Sequence, residues 1–468
     1  MLEPVNQWMN DTKRTHIQLS ALERTYVLLV FLLSFFWSVV FVIPSYGPDE
    51  TMRILVPRYI VEHHVIPCGW ETALRSDVWG FSYAFQMKLP YLIAAVFVQW
   101  MSLFASFLKA TPAFADSGML IAARFVSVLS MTGVAYFAIR IARKITSSPS
   151  RWIFILLTSL TPQSVFIGSY LNLDAFSLFV VLMIMDAWLV GMATKWNKTT
   201  CAWLGALLGL CLLGYEFAYS YMLASALVFL LWHIEHRKEL TFREFWGKVG
   251  IVILFFFLVC GWYLIRNGIL YKGDILACSI QKEYGEQFAM DGFKPSMRST
   301  HKSRGVALLE MLRKSNWIGA TAESSFCTLG YMSVQIPHFI YNIHFSFLLV
   351  GIAFFALFWR NRYKDKLPDK LLASLAAAAL VTLVLAVYYS WSSDYQAQGR
   401  YILYSLVPAY MGVAFGWRTI AVKLGNLLRL DAHRLQCSIA GMVFAGLLAS
   451  NILSFIVCMK FFFPAWGT

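Results

Sequence analysis

Apolar runs of roughly 17–25 residues recur along the chain between short polar connections, and a helix needs that length to cross ~30 Å of hydrocarbon. The first run, 26–43, follows Lys13, Arg14 and Arg24. It closes on Pro44-Ser-Tyr-Gly-Pro48 instead of a small-residue cleavage site, so it reads as a retained first span, with a removable signal peptide as the alternative. The pattern predicts an all-α integral membrane protein with about 11 transmembrane helices, residues 1–468 forming a single polytopic domain.

The charges between the runs orient them. Arg140, Arg143, Lys144 and Arg151 flank one connection with no acid among them, and the connections 195–198, 237–248, 360–370 and 418–434 are also basic. Placing these in the cytoplasm with the N-terminus follows the positive-inside rule and accommodates more than half of the 39 Lys and Arg. Four regions then face outside: 44–88, the turn at Asn172-Leu-Asp174, 266–336 and 390–400. One conflict remains. The apolar segments 89–108 and 119–139 both lie between an outside and an inside connection, and two full crossings cannot join opposite faces. One of them is expected to be re-entrant or interfacial.

Regions 44–88 and 266–336 far exceed the ordinary connection of ~4–6 residues. They carry Trp70, Trp79, Tyr83, Trp317 and Tyr331, so they are expected to pack as two long extracytoplasmic loops. No internal repeat is visible, which argues against the many transporter folds built from repeated halves.

Composition narrows the picture. The chain is 59% hydrophobic and only 14% charged, against about 25% charged in soluble proteins. The net charge of +14 sits in connections between spans, so it sets topology and implies no nucleic-acid partner. Eight cysteines are scattered without metal-ligand spacing, and a bridge from Cys68 to Cys278 or Cys327 is left open. No cofactor or metal motif is present; a divalent-metal requirement is not legible.

The candidate chemistry gathers at the outer boundary. Asp49 and Glu50 stand where the first span leaves the membrane, and adjacent carboxylates there are costly unless used or paired. Asp49 suits a general base towards an acceptor hydroxyl, with Glu50 in a positioning role; a solvated helix start fits the same residues. Asp174 opens another apolar run on the same face and fits either a second catalytic acid or a helix cap. Arg266 and Arg400 end or open spans at that face. An Arg fork grips phosphate oxygens, although snorkelling to the interface explains either residue alone. Lys88, before Pro90, could reach a head group, and His63 and His64 are weaker binding candidates. Together these supply a base and cations for a departing phosphate.

The order of motifs carries a resemblance. Pro48-Asp-Glu50, Ala123-Arg-Phe125, Asn172-Leu-Asp174, Trp262-Tyr-Leu-Ile-Arg-Asn267 with Tyr271-Lys-Gly-Asp274, Ser324-Ser-Phe-Cys-Thr-Leu-Gly-Tyr331 and Gln398-Gly-Arg-Tyr401 follow one another. This resembles a bacterial family of polytopic glycosyltransferases and, more distantly, the GT-C superfamily with its aminoarabinose and protein mannosyl transferases. The resemblance covers roughly 44–410. It implies a GT-C fold, Asp49 as the catalytic base and Asp174 as the second acid. It also implies Arg266 and Arg400 as phosphate-binding positions, and a polyprenyl-phosphate sugar as donor. Two departures stand out. Arg53 or Leu55 occupies the place of a frequent His, and Cys327 follows the first aromatic of the Ser-Phe segment.

The expected function is therefore a membrane hexosyltransferase that decorates an extracytoplasmic glycan, such as lipopolysaccharide O-antigen, from the periplasmic face of a bacterial inner membrane. A polymerase or ligase of lipid-linked oligosaccharides, and a flippase of lipid-linked sugars, are the alternatives. A flippase predicts charges at mid-span along a path, whereas the charges here collect at the outer boundary.

Overall fold

The computed structural model describes residues 18–43, 46–359 and 368–464. Lys13, Arg14, Pro44 and most of the basic connection 360–370 lie outside the described residues. The first span is helix α1 (Ala21–Val40), and it starts on a reciprocal capping box between Ser20 and Glu23. Short helices α2 (Glu50–Arg53) and α3 (Leu55–His63) follow, then α4 (Leu89–Phe107) and the long α5 (Pro112–Ile145). A broken pass comes next, α6 (Arg151–Ser159) and α7 (Pro162–Ile167), then α8 (Asp174–Ala193), α9 (Lys198–Leu212), α10 (Ser220–Glu235) and α11 (Phe242–Leu270). Helices α12 (Cys278–Phe288), α13 (Leu308–Lys314) and α14 (Trp317–Phe326) form an outer layer with a two-stranded ribbon, β1 (Thr328–Leu329) and β2 (Val334–Gln335). Four long helices complete the chain: α15 (His338–Leu357), α16 (Asp369–Ser392), α17 (Leu403–Leu428) and α18 (Ala432–Phe462).

Among the described residues, nine helices are long and apolar enough to cross a membrane. Their flanks resolve the parity conflict. Arg143, near the end of α5, donates to Glu23 at the start of α1 (Nε–Oε1 2.7 Å), while Arg124 donates to the carbonyls of Ser38 and Phe41 at the end of α1, both 2.8 Å. The stretch 124–143 therefore runs antiparallel to the whole of α1. At 1.5 Å per residue it makes one complete crossing of ~30 Å. Residues 112–123 project beyond it, and α4 folds back along that projection, Ala94 and Val98 packing with Leu120 and Ala123. Helix α4 thus begins and ends on one side of the bundle despite its length. Leaving out α4 and adding the α6–α7 pair, α9 and α17 gives eleven passes among the described residues. The chain is a multi-pass, all-α membrane protein.

Close packing fixes the bundle where glycines permit it. A Cβ on Gly416 of α17 would stand 1.7 Å from the carbonyl oxygen of Gly351 on α15, so the two backbones touch only because both lack side chains. At the opposite extreme, Ile253, Leu254, Phe257, Leu258 and Ile265 on α11 are exposed, as a lipid-facing surface requires. One buried acid within the bundle is doubly paired. Asp186 on α8 receives Arg140 Nη2 at 2.8 Å and Lys144 Nζ at 2.6 Å, and the two cations come from successive turns of α5.

The outer regions converge on one end. Arg266 and Tyr271 donate to the carbonyls of Pro67 and Cys68 at 2.6 and 2.8 Å, tying 266–336 to 44–88. Trp317 Nε1 donates to Ser390 Oγ at 2.8 Å, and Trp391 Nε1 to the Val306 carbonyl at 2.7 Å, tying in 390–400. Of the loop aromatics, Trp317 is buried, whereas Trp70 and Tyr331 are exposed. All eight cysteines are free, so the Cys68 bridge left open by the sequence is not formed.

Candidate active site

Asp49 sits on a strained turn. Its backbone is left-handed (φ 63°), a conformation that costs an L residue of order 1 kcal/mol and tends to occur at functional positions. The turn points successive carboxylates in opposite directions. Glu50 is buried, with Oε1 and Oε2 accepting from Arg124 Nε and Nη2 at 2.8 and 2.6 Å, and Oε1 also taking the Leu171 N–H at 2.7 Å. Glu50 is fully committed to holding α1, α5 and the 168–173 turn together.

Asp49 remains reachable. Its side chain is 33% exposed, and Oδ2 stands 3.6 Å from Arg53 Nη2 and 3.5 Å from Arg400 Nη2. Arg53 lies one helical turn on, at the i+4 spacing that brings side chains to one face. Its Nη1 donates to Tyr91 Oη at 2.7 Å, and its guanidinium carbon lies 4.5 Å from the centre of the Tyr83 ring. Arg400 comes from the far end of the chain on the 3₁₀ turn Gly399–Ile402. Gly399 makes that placement possible. Its N–H donates to Ser324 Oγ at 2.5 Å, and an added Cβ would collide with Ser325 N at 2.1 Å.

Asp174, at the start of α8, is buried, and its Oδ1 has no partner. Arg400, Arg53, Asp49 and Glu216 are the charged groups acting on it, so it belongs to the same cluster. The buried Nε atoms of Arg53 and Arg400 and the hydroxyl of Tyr170 are also unpartnered. Buried donors and a buried acceptor left without partners are a cost that a bound ligand can remove.

The remaining sequence candidates fall elsewhere. Lys88 is buried, with Nζ 3.1 Å from Tyr219 Oη and 3.4 Å from the Leu212 carbonyl, and it forms no ion pair among the described residues. Burial holds its ammonium below the ordinary lysine value, with the charge of Glu216 opposing that. Arg266 is spent on the loops, donating to Asn267 Oδ1, Tyr271 Oη and the Pro67 carbonyl. His63 stacks on Tyr59 with ring centres 4.0 Å apart and is exposed, and His64 ends α3 in a left-handed conformation. No contact ties either histidine to Asp49. Arg53, noted in the sequence only as a departure from the family pattern, and Glu216 are charged residues of the cluster to which the sequence reading gave no role. Arg53 could have been found from its i+4 spacing to Asp49, whereas no local signal marks Glu216. Among the described residues, no three His, Cys, Asp or Glu are grouped to hold a metal ion.

Comparison with known proteins bears on the fold. No protein-family model and no curated protein sequence matches the chain. Similar solved structures include the oligosaccharyltransferase AglB from Archaeoglobus fulgidus in complex with an inhibitory peptide and a dolichol-phosphate (TM-score 0.51, 12% identity). The match covers 93% of this chain and 56% of that one, so the chain spans just over half the length of the archaeal protein. ArnT from Cupriavidus metallidurans bound to undecaprenyl phosphate is also similar, with TM-score 0.50, 12% identity, and 93% and 77% of the two chains covered. The chain shares the overall membrane fold of these two solved structures.

Proposed function

We propose that the protein transfers a hexose from a polyprenyl-phosphate donor to an extracytoplasmic glycan such as lipopolysaccharide O-antigen. On this reading it works from the periplasmic face of a bacterial inner membrane. The observation that carries this reading is the Asp49–Arg53–Arg400 cluster. It joins one reachable carboxylate to two guanidiniums that each keep an unpaired Nε, beside the orphaned Oδ1 of Asp174.

In this reaction the acceptor hydroxyl attacks the anomeric carbon, and the bond from that carbon to the phosphate oxygen breaks. The bonding pair leaves with the phosphate, and the hydroxyl proton passes to Asp49. Arg400 and Arg53 stabilise the negative charge gathering on the leaving group, as pre-placed cations in a water-poor site do. Both arginines already lean on Asp49 Oδ2, so an arriving phosphate competes for them and frees the carboxylate to accept a proton. Asp174 Oδ1 is available to a sugar hydroxyl. The solved structures holding dolichol-phosphate and undecaprenyl phosphate in the same fold support a lipid-phosphate donor.

The test is transfer in membranes containing the protein, with an undecaprenyl-phosphate-linked hexose as donor and isolated O-antigen lipid as acceptor. Sugar should appear on the acceptor with wild-type protein and not with Asp49→Asn. Equal incorporation by both proteins would reject the reading.

A further inference from the structure

Next to Arg266, the outer layer contains a groove of about 600 Å³ whose walls include Trp70, Tyr271, Lys272, Asp274, Ser279 and Glu283. That volume lies within the ~300–1,000 Å³ of small-ligand pockets. Its lining includes no residue of the Asp49 cluster. Cys278, beside Ser279, is within electrostatic reach of both Lys88 and Glu216.

One wall is an aromatic platform. Trp70 is 42% exposed but immobilised, its ring edge-packed against Phe85, Tyr284 and Tyr271 at 5.1, 5.7 and 6.0 Å between centres. Tyr284 Oη donates to the Trp70 carbonyl at 3.1 Å. A large ring held in place by three others loses no further freedom when a ligand stacks on it.

The other wall is polar and mostly unspent. Asp274 is occupied, accepting from the N–H groups of Cys278, Ser279 and Ile280. Lys272 and Glu283 are exposed and form no ion pair among the described residues. Lys272 and Gly273 are consecutive left-handed residues (φ 52° and 97°), so the turn that presents Lys272 is held in a disfavoured conformation.

Three ligand chemistries can be compared on this lining. A lipid tail finds too many polar groups. A phosphate finds one cation against two carboxylates. A sugar ring finds what it needs: an aromatic face for its C–H surface, and both donors and acceptors in the same lining. We propose that the groove between Trp70 and the Lys272–Glu283 rim binds the acceptor glycan, holding sugar residues beyond the one that reacts. The assignment of that glycan as acceptor rests on the transferase reading above.

The experiment presents full-length protein in lipid nanodiscs to an array of bacterial polysaccharide fragments, alongside the transfer assay. Wild type should bind a subset of fragments, and Trp70→Ala and Glu283→Ala should each weaken that binding about tenfold, which corresponds to ~1.4 kcal/mol. Asp49→Asn should bind as wild type does. Glu283 is exposed, so its variant keeps the test valid if Trp70→Ala does not fold. Absence of fragment binding by wild type, or binding unchanged in Glu283→Ala, overturns the proposal. Fragment binding without transfer retains the saccharide groove and rejects the transferase reading instead. Transfer without fragment binding at the groove rejects the groove alone.

Discussion

Glu50 and Arg124 form a fully buried bidentate ion pair, with oxygen–nitrogen distances of 2.8 and 2.6 Å, next to a carboxylate that is left in reach of solvent. The remaining donor of Arg124, Nη1, goes to two carbonyls at the end of α1. This pair separates the roles of two adjacent acids. Glu50 holds the frame, and Asp49 is available for chemistry.

Glu50→Gln should destabilise the protein strongly. Removing one partner of a buried pair leaves an uncompensated charge and costs about 3–5 kcal/mol. Thermal unfolding in detergent, followed by monodisperse fraction on size exclusion, should show a clear drop in Tm. An unchanged Tm would mean that the pair carries no structural role.

Asp49→Asn should have the opposite profile. The side chain is partly exposed and makes only long electrostatic contacts, so Tm should stay near the wild-type value. Transfer should fall by about 10²–10⁴-fold, the usual contribution of a placed general base. Donor binding, measured with radiolabelled polyprenyl-phosphate hexose, should survive. Full activity would remove Asp49 from the mechanism.

Arg400→Lys keeps a positive charge but loses the planar fork. One lost charge-assisted hydrogen bond costs about 1.5–3 kcal/mol, so transfer should fall by about tenfold or more with donor affinity reduced. Gly399→Ala should produce a similar loss without touching the charge, because the added carbon displaces the turn from Ser325. If Gly399→Ala retained wild-type kinetics, the placement of Arg400 would not matter to the reaction.

Sidedness has its own test. Ser393 and Ser147 are both exposed and belong to opposite ends of the bundle. In intact spheroplasts, Ser393→Cys should react with a membrane-impermeant thiol reagent, and Ser147→Cys should react only after permeabilisation. The native exposed thiols Cys278 and Cys437 are replaced by Ser beforehand. Labelling of Ser147→Cys from outside would place the Asp49 cluster in the cytoplasm.

The sequence by itself determined the material of the fold. Apolar length and basic connections are local properties, and they were enough to give a multi-pass helical protein and to locate an odd segment within 89–139. They could not say which helix fails to cross, because α4 and α5 are equally apolar by composition. That was decided by Arg143 reaching Glu23 and Arg124 reaching the end of α1, contacts over more than eighty residues of chain. The site divides in the same way. Asp49, Asp174 and Arg400 were legible as charges at a membrane boundary, where an ionisable group needs a reason to be present. Which acid is spent on structure was not legible, since the partner of Glu50 lies on a distant helix. Glu216 carried no local mark, because its relevance comes only from the 3₁₀ turn that brings its charge to act on Asp174. Spacing along the chain fixes which residues share a helix face, and only the packing of helices fixes which charges meet.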